Sequence, residues 1–219
     1  MKSTNRIIAI LFSLAGLIYI LLDYTDLEIA RHVLKGTLIP FLIILFLISV
    51  KGEMKGTNLF LLGGLVFSWA GDIALDFAFI PGLACFLMAH LMYISAFLLI
   101  PGKNTVFLEK LYLLIPVAAF GVALIFLLYG SLGVMKLPVI VYAIVILIMV
   151  VAAMNRLGKV TSQSYRIVLA GAILFVISDS AIAINKFKWD FDFSGPVIMS
   201  TYLAAQYLIV TGYLKGRRI

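Results

Sequence analysis

The chain has 219 residues, 64% of them hydrophobic and only 12% charged, with a mean hydropathy of +1.17. Soluble domains run at about 45–50% apolar and about 25% charged, and disordered chains are poorer still in apolar residues, so both classes are excluded. The net charge is +7, but the 17 basic residues sit singly or in pairs between apolar runs, the pattern of charges that flank membrane spans rather than of a nucleic-acid-binding patch.

A helix that crosses the hydrocarbon core needs about 20 mostly apolar residues. Eight such runs follow one another: Ile7–Leu22, Val33–Val50, Asn58–Phe79, Leu83–Ile100, Leu111–Tyr129, Pro138–Asn155, Tyr165–Asn185 and Val197–Leu214. Turn or charge chemistry separates them at Lys51-Gly52-Glu53, Ile80-Pro81-Gly82, Pro101-Gly102-Lys103, Tyr129-Gly130-Ser131 and Ser194-Gly195-Pro196. Lys2 and Arg6 before the first run resemble the start of a signal peptide. No clear cleavage site follows, so the run is expected to be retained as the first span. The single cysteine, Cys85, cannot form an intramolecular disulfide. The expectation is an all-α bundle of eight transmembrane helices. The connections are short, so the chain reads as one domain, residues 1–219.

Eight spans put both termini on one side. That side collects 12 of the 17 basic residues: Lys2, Arg6, Lys51, Lys55, Lys103, Lys110, Arg156, Lys159, Arg166, Lys215, Arg217 and Arg218. The other collects four, Arg31, Lys136, Lys186 and Lys188, and Lys35 lies inside a span. By the positive-inside rule the termini are expected to be cytoplasmic. The expected location is a bacterial inner membrane.

Ionisable groups within spans cost several kcal/mol, by scales that disagree, and are functional candidates by default. They are Lys35, Asp72, Asp76, His90 and Asp179, accompanied by Ser68, Tyr93, Ser178, Asn185, Tyr202 and Gln206. At about 1.5 Å of rise per residue, Asp72, Asp179 and His90 all lie roughly 10 Å below the non-cytoplasmic end of their spans. A shared depth suggests one polar cavity opening to the non-cytoplasmic side. Asp72 and Asp76 are i and i+4, as are Tyr202 and Gln206, while His90 and Tyr93 are i and i+3, so each pair shares a helix face. Asp76, near the end of its span, suits interfacial water as well as it suits a site. Lys35 can either turn inward or snorkel to the headgroups. Trp69, Trp189 and the many Phe residues read as core or interface anchors. A faint repeat joins the two halves. Gly64 precedes Asp72 by eight and Gly171 precedes Asp179 by eight, and the following spans carry Ala89-His90 and Ala205-Gln206.

Four segments carry a resemblance. They run from Gly64 through Ser68-Trp69-Ala70-Gly71-Asp72 to Leu75, from Gly82 through Phe86 and Ala89-His90 to Tyr93, from Gly171 through Phe175 to Ser178-Asp179-Ser180, and from Ser200 through Tyr202 to Gln206. Together, in order, they resemble the YhhN-like lysoplasmalogenase family of eight-span membrane proteins, from about Lys35 to Tyr213. The resemblance implies hydrolysis of the vinyl-ether bond of lysoplasmalogens to a fatty aldehyde and a glycerophospho-alcohol. It makes Asp72 and Asp179 the catalytic pair and maps a basic family position onto Lys35. The resemblance does not extend to Asp76, a position that is more often apolar in that family.

The chemistry asks for a carboxylic acid to protonate the alkene, a negative charge beside the resulting oxocarbenium ion, and a positioned water. Glycosidases use the same two-carboxylate logic. Asp72 and Asp179 fill these roles in an order the sequence leaves open. His90 and Tyr93 are expected to orient a carboxylate or water, and Lys35 to hold a lipid phosphate or support an ionised Asp. Ser178, Asn185, Tyr202, Gln206 and Asp76 are further supporting or substrate-binding candidates. Asp, His and Asp at one depth could hold a metal, but membrane zinc hydrolases usually gather more histidine. No metal, cofactor or protein partner is expected; the partners are a lysophospholipid and membrane lipids. The alternative is a proton- or ion-coupled transporter using the intramembrane aspartates. It is disfavoured by the confinement of the polar layer to one leaflet and the absence of a Gly/Pro break in the middle of a span.

Overall fold

A computed structural model describes residues 3–104, 106 and 109–216. Lys2, Arg217 and Arg218, counted above toward the cytoplasmic charge, lie outside the described residues. Among those described, the long helices are α1 (Ser3–Leu22), α2 (Glu28–Val50), α3 (Thr57–Phe77), α4 (Phe79–Leu98), α5 (Leu114–Leu128), α6 (Lys136–Met154), α7 (Ser162–Phe187) and α8 (Ser194–Gly216). Short 3₁₀ turns, Leu111–Leu113 before α5, Tyr129–Ser131 after it and Gly133–Met135 before α6, extend the spans. There is no strand among the described residues, and eight helical segments are long and apolar enough to cross a membrane. Exposed side chains are apolar along whole faces: on α5, Ile115, Val122 and Phe126 are 67%, 71% and 87% exposed, an arrangement suited to lipid and not to water.

The spans expected from hydropathy are all present, but every start except that of the fifth span moves outward. Pro81 and Pro196 had marked breaks, yet each is the third residue of its helix, as are Pro116 and Pro138. The first four N–H groups of a helix have no intrahelical acceptor, so proline there removes no hydrogen bond. The real break before α4 is one extended residue, Ala78.

Pro40 is different, because it lies near the middle of a span and yet does not break it. It lies inside α2, which continues through it. Without an N–H, Pro40 leaves the Gly36 carbonyl unserved by its usual i+4 donor. The indole Nε1 of Trp69, on α3, donates to that carbonyl at 2.8 Å. Trp69 is therefore the hydrogen-bond partner of a proline defect.

The chain divides into two compact units, Met1–Ala96 and Phe97–Ile219. In the first, α1 packs on α2 and α2 on α3. α3 and α4 form a tight antiparallel hairpin. A Cβ on Gly64 would fall 2.3 Å from the Tyr93 ring, one on Gly71 would fall 2.8 Å from the Phe86 ring, and Gly82 lies against Leu75. Small residues at helix contacts allow this approach where no hydrophobic effect drives association.

In the second unit, α5 packs on α6, α6 on α7, and α7 most extensively on α8. The α7–α8 contact is reciprocal. A Cβ on Gly171 would meet the Ala205 carbonyl oxygen at 2.9 Å and the Ile209 nitrogen at 3.0 Å, and one on Gly212 would meet the Val168 nitrogen at 2.9 Å. The two hairpins share a register. Gly64 receives Tyr93, three residues after His90, and Gly171 receives Ile209, three residues after Gln206.

Arg156, counted in the sequence as a charge flanking the membrane, lies in the α6–α7 turn beyond the span and is fully buried, the largest such side chain. Its guanidinium donates to the Ser164 hydroxyl at 2.9 Å and lies 5.4 Å from the centre of the Phe97 ring. The Ser164 hydroxyl in turn donates to the Gly212 carbonyl at 2.7 Å. Arg156 thus fastens the α6–α7 turn to the start of α7, whose last link reaches the end of α8. Burial lowers its pKa to about 10, so it is still charged at neutral pH.

These contacts generate one test of the fold. At Gly171 the obstacles to a methyl group are backbone atoms, whereas at Gly64 the obstacle is a side-chain ring. Gly171→Ala should destabilise by about 1–3 kcal/mol, and Gly64→Ala by less, because an aromatic side chain can shift where backbone cannot. Thermal unfolding in detergent would show the order; equal melting temperatures for both variants and the wild type would contradict this packing.

Candidate functional site

Of the described site residues of the first unit, Lys35, Asp72 and Asp76 gather at one end of α2 and α3. Asp72 and Asp76 are one turn apart on α3, and His32 and Lys35 lie on the first turns of α2. They line a cleft of about 510 Å³ together with Val33, Gly36, Ile73 and Phe77. Lys35 Nζ forms an ion pair with Asp76 Oδ1. The Lys35 side chain is 13% exposed and that of Asp76 24%, so the pair sits at the mouth rather than in bulk water. Lys35 therefore turns toward the acidic cluster. Asp72 is only 4% exposed, one turn deeper on the same face.

His32 joins them from outside the sequence-based set. Its Nε2 is 3.9 Å from Asp76 Oδ2. Its Nδ1 donates to the Glu28 carbonyl at 2.8 Å, which fixes the ring and turns Nε2 toward the cleft. His32 escaped because hydropathy begins the second span at Val33, whereas the helix begins at Glu28. A histidine one residue before a span is a legible signal once the helix is extended by a turn.

His90 and Tyr93 are fully buried in α4, with Tyr93 closing over Gly64. Neither lines this cleft. Ser68 is fully buried on the stripe that it shares with Asp72.

In the second unit, Asp179 lines a small, mostly apolar pocket of about 40 Å³ with residues of α5 and α6. The Tyr142 hydroxyl, on α6, donates to Asp179 Oδ2 at 2.5 Å. Tyr142 was missed by the sequence reading: one tyrosine in an otherwise apolar span has no partner visible in sequence. Ser178, the preceding residue, faces α8, where its hydroxyl donates to the Ile198 carbonyl at 3.0 Å. Tyr202 and Gln206 are buried, and the Tyr202 ring meets Phe175 edge-on at 5.5 Å. Asn185 Oδ1 accepts from the Phe191 N–H at 3.3 Å, which ties the end of α7 to the α7–α8 connection.

The geometry therefore offers two protein-held carboxylate environments, one beside a cation in a cleft and one beside a tyrosine. Comparison with known proteins identifies the chain that carries them. The YhhN family profile matches residues 30–213, which include every candidate site residue. The chain belongs to the YhhN family. This YhhN protein is 33% identical over 180 residues to human lysoplasmalogenase TMEM86B, covering 81% of this chain and 74% of that protein. It is 33% identical over 162 residues to bovine lysoplasmalogenase TMEM86A, covering 70% and 65%. It is 29% identical over 167 residues to the lysoplasmalogenase of Mycobacterium tuberculosis, covering 73% and 62%. The match thus leaves about a third of the latter two relatives outside it. No solved structure matches.

The Tyr142–Asp179 contact can be tested without substrate. A hydrogen bond contributes about 0.5–1.5 kcal/mol net, and up to about 3 kcal/mol where a partner is charged, so a double-mutant cycle of Tyr142→Phe and Asp179→Ala, which removes the acceptor, should show coupling in that range in thermal or denaturant stability. Additive effects would mean that the two side chains do not bond.

Proposed function

We propose that this YhhN protein is a membrane-embedded lysoplasmalogenase that hydrolyses the vinyl-ether bond of a lysophospholipid, with Asp72 and Asp179 as its acid–base carboxylates. The observation that carries this reading is Asp72. In a chain whose relatives are named lysoplasmalogenase, it is a buried carboxyl at the floor of a cleft whose mouth holds an ion pair and whose walls include Val33, Ile73 and Phe77. Such a cleft suits a molecule that is polar at one end and apolar at the other.

In the proposed reaction a carboxylic acid transfers its proton to the outer alkene carbon. The ether oxygen then shares the positive charge of an oxocarbenium ion, which the second carboxylate stabilises. Water adds to the carbon bonded to that oxygen and returns a proton to carboxylate. The resulting hemiacetal collapses, breaking its C–O bond, to a fatty aldehyde and a glycerophospho-alcohol. One water is consumed and no oxidant or reductant is needed. The Tyr142 hydroxyl supports Asp179 by fixing one of its oxygens. Lys35 and Asp76 serve substrate binding, His90 and Tyr93 orient groups from α4, and Ser178, Asn185, Tyr202 and Gln206 support the second unit. Both termini are cytoplasmic in this reading, residues 1–219 form a single transmembrane domain, and the polar layer lies in the non-cytoplasmic half of a bacterial inner membrane.

The test is aldehyde release from lysoplasmenylethanolamine or lysoplasmenylcholine by purified protein in detergent. General acid–base groups typically contribute about 10²–10⁴-fold, so Asp72→Asn and Asp179→Asn should each lower turnover by at least about a hundredfold while the protein stays monodisperse. Activity retained in both variants would overturn the carboxylate mechanism. No aldehyde from folded wild type would overturn the substrate assignment and move the weight to transport.

A further inference from the structure

The Lys35–Asp76 ion pair is an unusual feature for a site that has only to bind an anion. A phosphate-binding cleft gains from cations alone, and an aspartate at its mouth would repel the ligand. We propose that Lys35 and Asp76 together read a zwitterionic headgroup by exchanging partners with it: Lys35 takes the phosphate and Asp76 takes the ammonium. The lipid then occupies the cleft with its glycerol directed down α3 toward Asp72. The position of the bond to be cut rests on the hydrolase reading above; the binding itself does not.

Three observations converge. First, the pair is only partly exposed and its two charges face each other across α2 and α3. An incoming zwitterion replaces one ion pair by two, so no charge is left uncompensated in the poorly hydrated mouth. An anionic headgroup satisfies Lys35 but strands Asp76 beside like charge. Second, His32 Nε2 lies 3.9 Å from the other oxygen of Asp76, with its ring held by the Glu28 carbonyl, so a second nitrogen stands at the mouth beside the carboxylate. Third, the spacing along α3 matches a phospholipid. Asp76 and Asp72 are four residues apart, a separation of about 6 Å along the helix axis. From phosphorus to the ether oxygen at the far end of glycerol there are five single bonds, each of about 1.5 Å, which span about 6 Å when extended. A headgroup held at Asp76 and Lys35 thus brings the ether to the level of Asp72. Val33, Ile73 and Phe77, exposed and apolar on the cleft walls, receive the chain beyond it.

The experiment is equilibrium binding to the whole 219-residue chain in detergent, read by Trp69 fluorescence in a Trp189→Phe background, since Trp69 bonds the Gly36 carbonyl at the cleft wall. The probes are two saturated 1-O-alkyl lysolipids that cannot be cleaved as vinyl ethers, one with a phosphoethanolamine and one with a phosphoglycerol headgroup. Wild type should bind the zwitterion about tenfold more tightly, a ratio equivalent to one favourable charge contact. Asp76→Asn should bring the two affinities within about twofold by improving binding of the anion, because its repulsion is removed. Asp76→Glu, which keeps the charge, should restore the preference. Lys35→Met should weaken both probes. Equal affinities in wild type, or an undiminished preference in well-folded Asp76→Asn, would overturn the proposal. A preference of the expected kind in a protein that releases no aldehyde from alkenyl substrate would leave the headgroup reader standing and sink the hydrolase reading alone.

Discussion

Hydrocarbon offers no water to polar groups, so each one within a span must find its partner in the protein. Much of this structure answers that constraint. The carbonyl freed by Pro40 is met by the Trp69 indole, Lys35 is met by Asp76, and Asp179 by the Tyr142 hydroxyl. Arg156 has no carboxylate paired with it among the described residues; the Ser164 hydroxyl and the Phe97 ring surround it instead. Each solution ties one helix, or the turn after it, to another element of the same unit. Polar groups that would be liabilities in isolation become the specific contacts that fix which helix lies beside which.

Between those points the helices are held by close packing rather than by the exclusion of water. Gly64 and Gly71 admit aromatic rings of α4 to the surface of α3, and Gly171 and Gly212 bring the backbones of α7 and α8 together. In both hairpins the glycine eight residues before an aspartate receives the residue three after the polar position on the next helix. The aspartates are therefore positioned by hairpins of the same register, although their immediate surroundings differ: a cleft with an ion pair around Asp72, and an apolar pocket with a tyrosine near Asp179.

That difference gives the proposed chemistry its shape. A lipid substrate presents charge at one end and hydrocarbon at the other. The α2–α3 cleft is layered in the same way, with Lys35, His32 and Asp76 at the mouth, Asp72 a turn deeper and apolar walls alongside. Membership of the YhhN family, with relatives named lysoplasmalogenase, gives the layered cleft a chemical context. In the proposed reading the residues of that cleft take distinct tasks.

By itself, the sequence determined the class of the protein, the eight spans and the ionisable groups Lys35, Asp72, Asp76, His90 and Asp179 within them. Spanning a bilayer imposes a length and a composition that no tertiary contact can alter, and a charge inside an apolar run stands out without a structure. The four family motifs were legible for a similar reason, since they lie within continuous helices. Partnership was not legible. Nothing in the order of residues says that Lys35 reaches Asp76 across 41 positions, that Tyr142 reaches Asp179 across 37, or that Arg156 is buried rather than solvated. Helix ends also shifted, because proline in a first turn reads as a break in sequence but removes no hydrogen bond in space. Those outcomes depend on which helix faces meet, and that is decided by small-residue contacts and by polar groups seeking partners across distant parts of the chain.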